Sequence, residues 1–476
     1  MPRKKSRQNP CGLKPLPPFN EAMTSRDKAC EPSAHLGVFD AGLIIVGVVV
    51  GAGIFALPSM VAANTGSTAS FAWAWILGGM VSLAGALCYA ELTTTYPHSG
   101  GEHHFLSRAF GRGTGILFGW SRLSVLQTGS IAIQAYIVGD YATRLAPLGE
   151  SSSVIYAAAT VALITGINLL GLRHGKWTQV TLGAATCLGV LLVAAAGLFG
   201  TADPVTTGTT LQSTTSGTPA FGLAMVFVLL AFGGWNEAAY VSADVSRRNM
   251  VRALIGGIGA ITVIYLLVNL AYLRGLGLAG IAGSKAVAAD LVQRMAGAEL
   301  AAITSGIIAI AALSTMNATI ITGGRSNFAL GQEVSVFRAI GRSDGARGAP
   351  RNALLVQGAI TLVLVLLGAL TRDGFVAIVE YTAPVFWFFF LLVGVSLFVL
   401  RWKDRDRPRP FRVPLYPLTP LIFCGMCLYM IRASLAYTGI GALVGVGVLV
   451  AGLPLLWLAR PRAGVEQMSR QEQLIP

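Results

Sequence analysis

Gly47-Val-Val-Val-Gly-Ala-Gly-Ile-Phe-Ala-Leu-Pro58 lies inside a run, 41–90, that contains no Asp, Glu, Lys or Arg. A run so long and so apolar belongs in a bilayer, which a helix of about 20 residues can cross. Its middle carries Gly51-Ala52-Gly53, and Pro58 follows. Glycine weakens a helix by about 1 kcal/mol relative to alanine, and proline removes a hydrogen bond from the ladder. Backbone that leaves the helix at membrane depth must find partners in protein or in a wet cavity. The pattern predicts two half-helices meeting at Gly51–Gly53. One ends in free carbonyls and the next begins with free N–H groups, an arrangement suited to a zwitterion. Close helix packing through small residues is the other reading of the same glycines. The rest of the chain weighs between them.

Of 476 residues, 54% are hydrophobic and 12% charged, the composition of a polytopic membrane protein. The formal net charge of +14 could suggest nucleic acid, but its placement excludes that reading. Twelve apolar spans can be drawn. They run Phe39–Ala63, Ala69–Leu92, Thr114–Leu145, Ser153–Leu172, Thr178–Gly200 and Phe221–Tyr240, then Val251–Leu273, Ala301–Gly323, Ala353–Leu370, Phe375–Leu400, Pro417–Ile431 and Gly439–Leu458. On one side of this arrangement the loops hold only Arg144, Arg274, Lys285, Arg294, Arg372 and Arg432, and span three holds Arg122. All the other basic residues fall on the opposite side, which puts both termini in the cytoplasm. Residues 1–36 are basic and proline-containing, with no apolar stretch, and read as a disordered cytoplasmic tail rather than a signal peptide. Residues 460–476 read likewise. The six cysteines, two in the N-terminal tail and four in apolar spans, outline no disulfide framework.

Span six repeats the opening signal. Phe232-Gly-Gly-Trp-Asn-Glu237 sets a glycine pair and polar residues in the course of an apolar helix. Spans one and six are five apart, and an odd offset inserts a repeat with inverted topology. Interrupted helices at matching positions of inverted halves point to a transporter's binding site. The expected fold is therefore all-α and integral to the membrane. Twelve transmembrane helices form a first repeat over 37–200, a second over 217–400 and two extra C-terminal helices over 413–459.

These residues, together with Cys88-Tyr-Ala-Glu-Leu-Thr-Thr-Thr-Tyr-Pro-His-Ser-Gly-Gly-Glu102, Phe110-Gly111 and Arg407-Pro-Arg-Pro-Phe-Arg-Val-Pro414, carry a likeness. From about Leu36 to Leu458 the chain resembles the amino acid–polyamine–organocation superfamily, closest to its L-type amino acid transporter branch. The resemblance implies alternating access about a midplane site. It gives the substrate carboxylate to the backbone at Gly51, Ala52, Gly53 and Ile54, and the ammonium to carbonyls near Val48, Val49, Ala231 and Phe232. Gly233 and Gly234 let span six unwind. The side-chain pocket and gate fall to Gln127, Ser130, Leu230, Trp235, Asn236, Ser314, Asn317 and Tyr381. Asn236, where many relatives carry an acid, favours neutral substrates, and Leu230 replaces a common aromatic gate. Thr186 and Ala311 stand where relatives keep a lysine and a sodium-site serine. The loop Arg144–Ser152 lacks the cysteine that links light chains to a heavy chain, so no disulfide-linked partner is expected.

Ionisable groups inside spans are costly and are functional candidates by default. Arg122, Asp140, Glu237 and Glu380 qualify, while Asp40 and Glu91 near span ends read as interfacial. Glu237, directly after the break, is the coupling candidate, with an ion pair that steadies the unwound segment as its alternative. Arg122 reads as an anchor of span three. His98, His103 and His104 are not read as a metal site. There is no phosphate-binding glycine loop with lysine, no metal-ligand cluster and no nucleophile elbow, so neither an enzyme nor a cofactor is expected. The expectation is a secondary transporter of neutral L-amino acids in a bacterial inner membrane, working as an exchanger or a proton symporter. Cationic amino acids or polyamines are the alternative substrates, with Glu237 and Glu380 as counter-charges. A transport-silent sensor or a membrane enzyme is the alternative of another class.

Overall fold

The computed structural model describes residues 51–98, 100–170, 175–200, 220–242, 245–342, 350–371, 373–437 and 439–458. Both expected tails, Val48 and Val49 with the first half of span one, and the Thr201–Thr218 loop lie outside them. Every element among the described residues is a helix. In chain order these are α1 (Gly53–Ala63), α2 (Thr68–Thr95), α3 (Gly101–Phe110), α4 (Arg112–Ser121), α5 (Gln127–Leu145), α6 (Ser152–Leu170), α7 (Gly175–Phe199) and α8 (Phe221–Ala231). Then follow α9 (Arg247–Ala282), α10 (Val287–Ala296), α11 (Ala298–Glu333), α12 (Arg351–Gly368), α13 (Gly374–Lys403), α14 (Leu418–Tyr437), α15 (Ile440–Val450) and α16 (Leu453–Leu458). Eight helices among the described residues are long and apolar enough to cross a membrane.

Two of the described helices start at a side chain that satisfies one of their first N–H groups. Ser67 Oγ accepts from the Ser70 N–H at 3.1 Å to open α2, and Asp373 Oδ1 accepts from the Val376 N–H at 3.1 Å to open α13. Spans seven and eight run beyond their expected ends, because helix continues past the apolar stretch at both ends of α9 and α11. Helices α3 and α10 fall in stretches expected as loops. Both are short and amphipathic, too short to register as spans, and each has an acid in its first turn and an arginine in its last, as the helix dipole favours.

Two groups of helices emerge from the packing. In one, α1, α2, α8 and α9 lie against each other; in the other, α5, α6, α11 and α12 do. Helix α13 leans on α5 and carries α14 and α15 on its other side. Contact within the first group depends on absent side chains. A Cβ at Gly79 of α2 would stand 2.5 Å from Thr262 Cγ2 of α9, so only glycine allows this approach.

Glu91 corrects an expectation. It is not solvated at an interface but is 1% exposed. Arg401 at the end of α13 donates to both its oxygens, at 2.7 and 2.5 Å; the Val413 N–H adds a bond at 2.7 Å, and Arg409 stands at 3.6 Å. Glu91, which ends the apolar run, is answered by Arg401 of α13 and by Arg409 and the Val413 N–H of the connection to α14, which folds back over it. Removing one partner of a buried pair strands the other charges. Glu91→Gln is expected to cost about 3 kcal/mol and to lower the thermal unfolding midpoint in detergent by several degrees. A midpoint within one degree of wild type would count against the clamp.

Candidate functional site

Helix α1 begins at Gly53 with Ala52 before it, and no side chain caps it. The Phe55 N–H turns back to Ala52 O at 3.1 Å. Helix α8 ends at Ala231. There the Phe232 N–H reaches Val228 O at 3.1 Å and the Gly233 N–H reaches Leu230 O at 3.0 Å. Gly234 then takes φ 103°, the left-handed region, and the chain resumes as a 3₁₀ turn over Trp235–Val241. The start of α1 and the end of α8 touch: a Cβ on Gly53 would lie 3.6 Å from Ala231 Cα. A bundle that places an uncapped helix start beside a helix end offers donors and acceptors within one amino acid head group's reach.

A cavity of about 240 Å³ opens in front of this contact. Of the sequence-expected residues, Gly51, Gly53, Leu230, Ala231, Gly233, Gly234, Asn236 and Glu237 line it from one group of helices, and Gln127 and Ser130 line it from the other. Ala52, Ile54 and Phe232 are fully buried next to it, their side chains turned into the core. Phe232 meets Trp75 and Tyr265 there, with ring centroids 6.2 and 5.0 Å away. The Tyr265 hydroxyl also donates to Ala231 O at 3.1 Å, filling one of that carbonyl's two lone pairs. Trp235 lies behind the cavity, edge-on to Tyr89 at 4.9 Å, and borders a smaller crevice.

Three expected pocket residues sit elsewhere. Asn317 faces α6, where its Oδ1 accepts from Asn168 Nδ2 at 2.8 Å, and Ser314, buried, lies outside the cavity lining on the same helix. The Tyr381 hydroxyl donates to Ser124 O at 2.9 Å, in the π-helical turn Arg122–Leu126 that joins α4 to α5. The cavity side of α11 is instead Thr315, Thr319 and Thr322, spaced by four and three. On α5 the face is Gln127, Ser130 and Gln134. Gln127 Nε2 is engaged by Thr319 O at 2.8 Å and Thr322 Oγ1 at 3.1 Å. Gln134 Oε1 is buried and has no partner among the described residues. Phe386, Trp387, Phe389 and Phe390 of α13 supply an aromatic wall. The periodic Thr and Gln stripes were legible signals for this lining; the aromatic wall was not, since α13 is apolar all round.

One end of the cavity is charged. Arg122, in the π-helical turn, donates from Nη2 to both oxygens of Glu237 at 3.1 Å and from Nη1 to the Tyr240 hydroxyl at 2.7 Å. Its plane also covers the Tyr240 ring, 4.4 Å from the centroid. Glu102 of α3, which sequence reasoning missed, completes the cluster. Glu380 lies against Gly439 and Gly441 at the start of α15, outside the cavity lining. Asp140 accepts from Ser153 Oγ at 2.6 Å. Thr186 and Ala311, both buried, bring no charge to the site.

A helix start in contact with a helix end, fronting a cavity with polar and apolar walls between two groups of apolar helices, fits a membrane transporter. The chain belongs to the amino acid permease family, which matches residues 36–458. Among its relatives, the b(0,+)-type amino acid transporter 1 of Mus musculus is 29% identical over 409 residues, covering 84% of this chain and 82% of the relative. That of Oryctolagus cuniculus is 30% identical over 387 residues, covering 80% and 78%. The large neutral amino acids transporter small subunit 2 of Homo sapiens is 28% identical over 439 residues, covering 89% and 80%. The chain is thus an integral membrane amino acid transporter and not an enzyme.

Gly234 offers a direct check on the break. A β-branched side chain at φ 103° carries strain of about 1–3 kcal/mol. Gly234→Val is expected to lose the thermal stabilisation that an amino acid substrate gives the wild type. Undiminished substrate stabilisation in a thermal-shift series would contradict the assigned geometry.

Proposed function

We propose that the protein carries neutral L-amino acids by alternating access, as an exchanger or a proton symporter. The carboxylate meets the open start of α1 at Gly51, Ala52, Gly53 and Ile54. The ammonium meets carbonyls near Val48, Val49, Ala231 and Phe232. The observation that carries this reading is the contact of Gly53 with Ala231, which sets a helix start beside a helix end. Asn236 and Leu230 border the head group, and Gln127, Ser130 and Gln134 meet the side chain. The two groups of helices support a rocking motion of α1, α2, α8 and α9 against α5, α6, α11 and α12. An inverted repeat over 37–200 and 217–400, with 413–459 added, accounts for breaks in the first and sixth of twelve spans.

The cationic alternative needs a carboxylate free to face a substrate side chain. Glu237 is already paired with Arg122, the Glu102 side chain is 4% exposed and held by Tyr89, Asn236 and Tyr240, and Glu380 lies outside the lining, which favours neutral substrates. The distribution of basic residues supports cytoplasmic termini. The bacterial inner membrane is part of the same proposal, and the cysteine-free loop after α5 supports work without a disulfide-linked heavy chain.

In proteoliposomes, Gly53→Trp is expected to abolish radiolabelled amino acid uptake, since the indole would fill the space against Ala231. Normal uptake would remove the site from this position. Gln134→Leu is expected to shift preference from glutamine toward leucine by about tenfold, the worth of one hydrogen bond of about 1.4 kcal/mol. An unchanged ratio of the two uptake rates would take Gln134 out of the side-chain pocket.

A further inference from the structure

The charged end of the cavity holds two carboxylates and one cation. Arg122 gives both Nη2 contacts to Glu237, its Nη1 bond to Tyr240, and its Nε bond to Ser326 Oγ at 3.1 Å. Glu102 Oε2 is 3.8 Å from Nη1, outside hydrogen-bond distance. By geometry the guanidinium's charge goes to Glu237. Yet Glu102 is the more buried acid, with its side chain 4% exposed against 27% for Glu237. Neutral donors surround it: the Tyr89 hydroxyl at 2.5 Å, Asn236 Nδ2 at 3.4 Å and the Tyr240 hydroxyl at 3.2 Å.

We propose that Glu102 is a proton-binding site, which takes up a proton while this cluster is closed and releases it when the cluster parts. The inference rests on the transporter reading above, and it moves the coupling role from Glu237 to Glu102. A closed cluster with Glu102 protonated holds one positive and one negative charge. With Glu102 ionised it holds an uncompensated negative charge away from water, which is costly. Burial accordingly pushes Glu102 up to about 7, against the pull of Arg122 and Tyr89 and with help from Glu237. The tyrosine hydroxyls can donate to a carboxylate or accept from a carboxylic acid, so the same cage serves both forms.

The other charged and titratable groups around α3 are engaged elsewhere. On α3 itself, His103 faces Glu333 at 3.3 Å, His104 stacks on His98 at 4.2 Å, and Arg108 pairs with Asp404 at 2.9 Å. Lys403 of α13 donates to Ala109 O at 2.8 Å, and Arg401 is held by Glu91 of α2. Arg112 of α4 pairs with Glu333 at 3.3 Å. That leaves Arg122, Glu237, Tyr89 and Tyr240 to face Glu102.

The cluster also straddles the two groups of helices. Tyr89 lies on α2, and Asn236, Glu237 and Tyr240 follow α8. Arg122 precedes α5, and Ser326 lies on α11. Rotation of one group against the other separates Glu237 from Arg122 and wets Glu102. A wetted carboxyl returns toward its ordinary value of 4.5 and gives its proton to the solution it then faces. The sign follows. Protonation favours the closed cluster below about pH 7, and ionisation of Glu102 disfavours it above. A proton taken from one solution and released to the other balances the step.

The test uses the full-length protein in proteoliposomes, with membrane potential clamped, against leucine, alanine and glutamine. Exchange against internal amino acid at equal pH measures transport by itself. Wild-type net uptake is expected to be about tenfold faster at external pH 6 than at pH 8, as the protonated fraction of a group titrating near 7 changes. Addition of substrate should alkalinise the medium. Glu102→Gln should bring the ratio near one and abolish the alkalinisation, whereas Glu102→Asp should retain both. A wild type that exchanges but shows neither pH dependence nor alkalinisation overturns the coupling and spares the transport reading. Absence of both exchange and net uptake overturns both. Glu102→Gln with wild-type ratio and alkalinisation would reject Glu102 as the site. Should Glu102→Gln fail to fold, the wild-type profile and proton movement decide alone.

Discussion

Main-chain polar groups in the bilayer must be satisfied, and the places where this chain leaves them open determine its architecture. Helix serves everywhere else among the described residues, because only there are N–H and C=O groups answered within one segment. The start of α1 and the end of α8 face the cavity and lie against each other. No side chain caps the first, and a single tyrosine hydroxyl reaches the second. The groups around them are arranged to tolerate this. Tyr265 takes one lone pair of Ala231, Tyr141 reaches Phe55 O at 2.8 Å, and Tyr272 reaches Ile54 O at 3.3 Å. These tyrosines hold the breaks in place without closing them.

The cavity is built from two different kinds of surface. Its α1–α8 side includes the glycines Gly51, Gly53, Gly233 and Gly234, where main chain is uncovered. Its α5–α11 side presents Gln127, Ser130, Gln134 and a threonine stripe. In the function proposed above, the first surface takes the head group common to amino acids and the second the side chain that differs between them. The charged cluster at one end answers to neither, since Arg122 and Glu237 are spent on each other.

Much of this was legible in the sequence. Gly233 and Gly234 marked the end of α8, because glycine disfavours helix more than any residue but proline and accepts the positive φ found at Gly234; Gly51 and Gly53 fall at the start of α1, the stretch before them lying outside the described residues. Gln127 and Ser130 fell on the cavity face. Span eight misled, for it is polar on two faces: Ser314 and Asn317 on one, Thr315, Thr319 and Thr322 on the other. Periodicity finds such faces but does not say which neighbour each one meets. Partners distant in sequence were also out of reach. Nothing near Glu91 announces Arg401, and nothing near Glu102 announces that Tyr240 and Asn236 will surround it. Short amphipathic helices such as α3 and α10 lack the length that identifies a span.

Helix α10 has a mechanical side. Arg144, at the end of α5, pairs with Asp290 in its first turn, and Ser284 Oγ bonds the other oxygen of that acid at 2.5 Å. This bolts α10 to the second group of helices, although it is continuous in sequence with α9 of the first. Between the two anchorages α9 leaves helical geometry at Gly277, at φ 67°, before its last turns. One continuous stretch of chain thus spans both groups of helices, packed along its length on the first and tied at its far end to the second, like a lintel resting on two walls.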